Sequence, residues 1–476
     1  MAFARQTDVD AVASQSEVKR LLDLDTTPWY KRPNLRTLYF TLIPAVLGCE
    51  MTSGYDGSIL NGLQAVGPWL TCTYTTRGYH DRVRRSLTMI ADFNTPTGAI
   101  LGAMNAAFEP YFGLLTTPYT HPTHRPWLAT LVLTQDIMQS IGAVLALPIV
   151  PYVNDRVGRK HSITIGSAII VVGVILQTAS MNLAMFIVAR IVLGLGIPFC
   201  IGGASQLIAE LTFPRHSAII NGLFNESWYA GAIIAAGVTL GTFSRPDNWS
   251  WRIPSLLQML PSLLQLTFIW FVPESPRWLV SRDRSDEAFD ILVKHHAEGD
   301  RNSPLVHAEF AEIQHTVRAE LEFSKRRWVE LLQTPGNRKR TFIAACVGLF
   351  SQWSGNGLVS YYLAKVLSTV GITNKRTQQQ INLSLSCWNL ITGVSGAFLT
   401  KVFRRRTQYL MAFIGMTIVF ACWTGASADY ANTKNKNAAG AVVGMIFVYY
   451  WAYTLMHPLT TSVRLQSEDM SYWDDC

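Results

Sequence analysis

Hydrophobic residues along this chain gather into long unbroken runs. They occupy about 37–60, 129–152, 161–181, 183–209, 218–242 and 253–272, and then, beyond a polar stretch, 341–370, 381–400, 408–427 and 438–461. Each run is near the ~20 residues that a helix needs to cross about 30 Å of hydrocarbon. None alternates strictly as a barrel strand would, and backbone groups in lipid must pair within their own segment, so helices are predicted. The pattern reads as an all-α, polytopic membrane protein with ten spans, six before the polar stretch and four after it.

The polar stretch, 273–340, holds 24 Asp, Glu, Lys or Arg residues in 68 positions and predicts a linker with helical pieces such as 305–323. It separates a six-helix half (36–272) from a second helical half (341–462). Residues 1–35 form a polar tail without an apolar core, and 463–476 are polar again. Transporters are often built from two pseudo-repeated six-helix halves. On that plan the second half is incomplete, with ten spans in place of twelve. Between the first two runs, 98–118 is moderately apolar, but Glu109, Pro110 and Pro118 argue against a crossing.

Composition sharpens the class. Only 15% of residues are charged, against about 25% in soluble domains. The net charge of +8 is placed in clusters: Lys31, Arg32 and Arg36 precede the first span, Arg156, Arg159 and Lys160 follow the second, and Lys401, Arg404, Arg405 and Arg406 follow the eighth. These clusters fall on one side of the membrane, which the positive-inside rule makes cytoplasmic together with the N-terminus, whereas Arg77, Arg82, Arg84 and Arg85 between the first two spans fall on the other side, against the rule. Nucleic-acid binding would need such clusters on one soluble face, so no nucleic-acid partner is expected. The seven cysteines form no CxxC pair and the ten histidines lack ligand spacing. No metal or cofactor is therefore expected. His295 and His296 read as solvated residues of the charged linker. No phosphate-cradling loop or nucleophile–base set appears, so the chain does not read as an enzyme.

Polar residues inside the apolar runs carry the candidate chemistry. Asp56 lies in GYDGSILNG and Arg190 in RIVLGLG, deep within spans. An unpaired charge there costs about 2.5 kcal/mol or more, so each implies a polar partner or a wet cavity. VNDRVGRK (153–160) joins two spans through a very short loop, with Gly158 permitting a tight turn. Its Asp155, Arg156, Arg159 and Lys160 can reach neighbouring helix ends. Glu210 in AELTFPRH and Glu274 with Arg277 in VPESPRWL lie at such ends, and the set reads as a gate.

These motifs carry a resemblance. In order and spacing, GYDGSILNGLQA, NDRVGRK, RIVLGLG, PESPRWL and FSQWSGNGLVSYYL resemble a sugar porter of the major facilitator superfamily, nearest to the fungal lactose and hexose permease type. The likeness covers about 38–70, 91–107 and 140–462. The resemblance implies a major facilitator fold and sugar:proton symport by alternating access. It implies a monomer in the plasma membrane, with a sugar, a proton and the lipid bilayer as partners. By the same likeness Asp56 takes the coupling proton and Arg190 pairs with it. Gln352, Asn356, Tyr361 and Tyr362 match the seventh-helix sugar motif, Asn389 an eighth-helix sugar contact, and Asn225 with Glu226 the fifth-helix position where a glutamine is usual.

The residue types suit the task. Neutral donors and acceptors pair with sugar hydroxyls, and aromatic faces cover the apolar side of the ring. Singly, a membrane Asn or Gln is also helix–helix glue, and Tyr361 and Tyr362 could be interfacial aromatics.

The chain departs from the family pattern in several places. Ser351 stands for the first glutamine of the seventh-helix motif and Gly357 for its asparagine, while 401–406 lacks the aspartate of the repeated loop motif. Residues 71–90 and 108–139 have no counterpart and read as insertions. Two other readings stay open, a truncated non-transporting family member and a transporter-like sugar sensor.

Overall fold

The computed structural model describes residues 17–63, 137–323, 335–399 and 403–455, apart from the single positions 19, 26 and 404. All ten apolar runs carry helix within those residues. They are α1 (Pro33–Leu63), the bent pair α2 (Ile137–Ala146) and α3 (Ile149–Val157), α4 (Arg159–Thr178), α5 (Leu183–Leu211), α6 (Pro214–Thr242), α7 (Trp249–Leu257) with α8 (Met259–Phe268), α12 (Pro335–Trp353) with α13 (Asn356–Thr369), α14 (Lys375–Leu399), α15 (Arg405–Thr433) and α16 (Lys436–Thr454). The linker supplies α9 (Pro276–Ser281), α10 (Ser285–His296) and α11 (Pro304–Phe323). Most of 71–90 and 108–139 lies outside the described residues.

Local signals set many of the starts. α1, α6, α9, α11 and α12 all open on proline, whose missing N–H and fixed φ suit the first helical position. Asn182 caps α5 by accepting from the Met185 N–H at 2.9 Å. Three of the expected spans are not single helices. The second bends by 46° between α2 and α3, and Gln258 separates α7 from α8. The seventh breaks at Gly355, where φ is +97°, a left-handed value that glycine adopts freely.

Four described stretches are long and apolar enough to cross a bilayer by length and composition: Arg159–Thr178, Ala184–Leu211, Trp249–Phe271 and Arg406–Thr433. The bent α2–α3 pair makes a fifth if counted as one. Large apolar side chains also face outward, among them Phe40, Val172, Trp270, Phe271, Ile391 and Ile418. In water such a belt would be costly, whereas against lipid it is the expected surface.

Two cores hold the fold. In the first half, Leu38, Leu42, Ile170, Leu193, Ile197 and Phe224 are buried between α1, α4, α5 and α6. In the second, Leu367, Met416, Trp423, Ile446 and Tyr449 pack α13, α15 and α16 together. The halves meet where α6 lies along α14 and α13 touches α1.

The linker corrects one expectation. His295 and His296 are both buried at the end of α10, because α10 and α11 dock against the starts and ends of membrane helices rather than standing in water.

Candidate functional site

Backbone contact places the first charged pair. A Cβ on Gly54 of α1 would overlap the Trp228 carbonyl of α6, and one on Gly231 of α6 would overlap the Met51 carbonyl of α1. The two helices therefore touch through glycine, as small-residue membrane crossings do. Gly142 and Gly194 make the equivalent crossing between α2 and α5. This brings Asp56, Gln139 and Arg190 to one point inside the first half.

There, Arg190 Nη1 donates to Asp56 Oδ1, and both side chains are fully buried. Arg190 Nη1 also lies 3.2 Å from Gln139 Oε1. Gln258, at the α7–α8 junction, donates to the same Asp56 oxygen at 2.6 Å. Gln177 of α4 donates in turn to Gln258 Oε1 at 3.4 Å. Because Gln177 occupies the amide oxygen, Gln258 turns its NH₂ toward the carboxylate. Asp56 Oδ2 and Arg190 Nε and Nη2 have no hydrogen-bond partner among the described residues. A buried ion pair with spare valences does not bring much stability.

Three of these partners were not singled out from the sequence. Gln177 and Gln258 are amides set inside apolar runs, which was the available signal. Gln139 falls within 108–139, the stretch read as an insertion, yet 137–139 belong to α2 and Gln139 meets Arg190.

A second polar face lies between the halves. Asn225, Glu226 and Tyr229 of α6 are buried, and Glu226 Oε2 occupies the space a Cβ on Gly393 of α14 would fill. One turn before Gly393, Asn389 is buried and its Oδ1 has no hydrogen-bond partner among the described residues. Asn356, just after the seventh-helix break, donates to Tyr453 Oη at 3.1 Å, and Tyr449 Oη donates to the Ser354 carbonyl at 2.8 Å. Tyr449 and Tyr453 of α16 stack at 6.4 Å. The YYWAY run (449–453) is the signal that sequence reading passed over. The side chains of Gln352, Tyr361 and Tyr362, on α12 and α13, lie outside the described residues.

The third cluster closes the linker side of the first half. Arg159 grips Glu210 side-on, with Nε 3.2 Å from Oε2 and Nη2 3.4 Å from Oε1, the bidentate geometry that gives guanidinium–carboxylate pairs their specificity. Ser275 Oγ donates to the same Glu210. Glu274 Oε1 accepts from the backbone N–H of Arg159 and Lys160 at 3.1 and 3.2 Å. It thus meets the positive end of α4. Lys160 Nζ donates to the Trp270 and Val272 carbonyls. Asp155 and Arg156 project outward: Asp155 is 3.9 Å from Arg159 Nη1, and Arg156 lies over the Tyr152 ring. Arg277 is half-buried on α9.

Gly158 has φ +103°, and a Cβ there would press on the Glu274 carboxylate. With ψ +162° as well, this backbone lies in a region essentially reserved for glycine, so we expect Gly158→Ala to lower stability by about 1–3 kcal/mol from the backbone alone, with further loss from displacing Glu274. Thermal unfolding of the purified chain measures this, and an unshifted midpoint would remove Gly158 and Glu274 from the clamp.

Two helical halves meeting at a buried polar face, with a charged pair inside one half, define a major facilitator transporter fold. The solved structure of the proton:xylose symporter XylE of E. coli shares it, with a TM-score of 0.64 over 90% of this chain and 81% of that one at 20% identity. The family model described as "Sugar (and other) transporter" matches residues 41–460, and the chain belongs to that family. An MFS-type transporter of Aspergillus cristatus is 28% identical over 305 residues, 63% of this chain and 64% of the relative. A high-affinity glucose transporter of Kluyveromyces lactis is 30% identical over 307 residues, 64% of this chain and 54% of the relative. The chain thus spans less than two thirds of the length of either relative.

Proposed function

We propose that this chain is a secondary-active sugar transporter that moves a hexose together with a proton by alternating access. The carrying observation is the fully buried Asp56–Arg190 pair in a fold whose halves also share a buried polar face. Protonating Asp56 removes its charge attraction to Arg190 and leaves Arg190 to Gln139. α1 and α5 are then free to rearrange relative to each other. Since α1 touches α13 and α6 runs along α14, that change reaches the interface where the sugar would sit. Asn389 Oδ1, buried without a hydrogen-bond partner among the described residues, offers an acceptor for a sugar hydroxyl, and Asn225, Glu226 and Asn356 surround the same face. The names of the glucose and xylose transporters above support a monosaccharide.

By the positive-inside rule the linker and the N-terminus would face the cytoplasm, and the plasma membrane is the expected site of a monomer. The Arg159–Glu210–Glu274 cluster, with Asp155, Arg156, Lys160 and Arg277 around it, would hold the cytoplasmic side shut in the outward-facing state.

Uptake of labelled glucose, xylose and lactose by a transport-deficient host expressing the full chain tests the reading. Uptake of at least one sugar above the empty host is expected. Asn389→Ala should weaken apparent affinity about tenfold at equal surface expression, in line with the 1–3 kcal/mol cost of a lost buried hydrogen bond. No uptake of any sugar would reject transport, and an unchanged affinity would remove Asn389 from the sugar site.

A further inference from the structure

A second ionisable cluster, remote from Asp56, lies where the linker docks. The chain turns at Glu298 with φ +53°, a left-handed value that glutamate rarely adopts. In this position its carboxylate accepts from the Asn34 and Leu35 N–H groups at 2.9 and 3.1 Å. These are unpaired donors of the first turn of α1, where a negative charge is favoured. Arg32, paired with Asp25, donates to the His296 carbonyl at 3.4 Å, and His295 Nδ1 is 3.3 Å from the Asn34 carbonyl.

His296 joins this interface to α5 and α11. Its Nδ1 is 2.8 Å from Glu309 Oε2 of α11, and its Nε2 is 3.3 Å from the Leu211 carbonyl that ends α5. Both partners are acceptors. A neutral imidazole donates from one nitrogen only, so it can satisfy one contact and must oppose the other; the imidazolium satisfies both. Among the described residues, Phe213 at 5.5 Å, the Arg32 cation and His295 of its own helix also act on the ring, while Lys294 of that helix acts on His295. His216 stands on the same Phe213 ring at 5.8 Å and is held by Tyr39 Oη at 3.1 Å.

We propose that His296 is a second proton site, on the cytoplasmic face, whose imidazolium latches the linker onto the ends of α1 and α5. Burial opposes the charge, but the Glu309 carboxylate and the Leu211 carbonyl outweigh it and raise the proton affinity of the ring above the ordinary histidine value. A raised value means that the latch contributes fully in acid and is lost as pH rises through the folded-state value. His295 behaves oppositely: burial lowers its proton affinity, and its single acceptor contact suits a neutral tautomer. With the linker in the cytosol, acidification there tightens the latch, which would restrain a carrier that brings protons in. The latch rests on the proposed orientation and not on sugar transport or on Asp56.

Hydrogen exchange of the full chain in lipid nanodiscs, corrected for intrinsic rates, tests it. Protection across 285–323 and the first turns of α1 should fall several-fold from about pH 6 to about pH 8, the range in which histidine titrates. His296→Gln, which keeps one donor and one acceptor, should flatten that dependence, while His295→Gln should keep it. Glu309→Gln keeps the shape but removes the charge, and should move the midpoint to lower pH by about one unit, a tenfold change in proton affinity. A pH-independent wild type, or a His296→Gln chain that keeps the dependence, would overturn the proposal. If His296→Gln does not fold, an unmoved midpoint in Glu309→Gln overturns it instead.

Discussion

Asp56→Asn is expected to abolish sugar uptake driven by an inward proton gradient while leaving sugar exchange across the membrane measurable. The asparagine can still accept from Arg190 and Gln258, so the local packing persists, but no proton can be taken up or released at that position. The substitution also leaves Arg190 as an uncompensated buried charge, which costs about 3–5 kcal/mol when one partner of a buried pair is removed. That loss could mimic a coupling defect by lowering the amount of folded protein. The charge-neutral double variant Asp56→Asn with Arg190→Gln removes the penalty and separates the two effects. If either variant, at wild-type surface level, still accumulates sugar in response to external acidification, Asp56 is not the coupling site.

Gly54→Val should be the most destructive single substitution for the fold. The new side chain would have to occupy the position of the Trp228 carbonyl, and backbone, unlike a flexible side chain, cannot swing aside. Overpacking a well-filled site costs about 1–3 kcal/mol even where side chains can adjust. Here α1 and α6 must separate, which would also pull Asp56 away from Arg190. We expect a lower unfolding temperature and little monodisperse protein in detergent. Gly237→Ala, also on α6, is the control, because a Cβ there meets nothing within 4 Å, and it should behave as wild type. A Gly54→Val chain as stable as that control would show that the α1–α6 contact does not hold the first half together.

The sequence showed much of the fold because membranes impose a simple rule. Lipid demands long apolar segments with internally paired backbones, and such segments are visible as runs. The motif residues were legible for a related reason: Asp56 and Arg190 stand out because charge is expensive in an apolar run. Where signals were weak or local, the reading missed. The break at Gly355 was hidden inside a continuous run, since hydrophobicity does not register a change of φ. Gln139 drew no notice because it closes 108–139, a stretch set apart for want of a family counterpart, although in space it meets Arg190. The linker histidines were read as solvated because their neighbours in sequence are charged, although their neighbours in space are Glu309, Phe213 and the ends of α1 and α5.

By itself, then, the sequence determined that this is a helical membrane protein in two parts, with a carboxylate and a guanidinium buried in its first half and a charged linker between the parts. Only the tertiary structure decided which groups meet. Gln177 and Gln258 have no mark in the sequence that assigns them to Asp56, and Glu298 has none that assigns it to the first turn of α1. Burial and hydropathy are properties of single residues and short windows, so they can be read along the chain. Partnership depends on close approach between helices far apart in sequence, which is fixed by glycine crossings, a helix break and docked ends that exist only once the chain is packed.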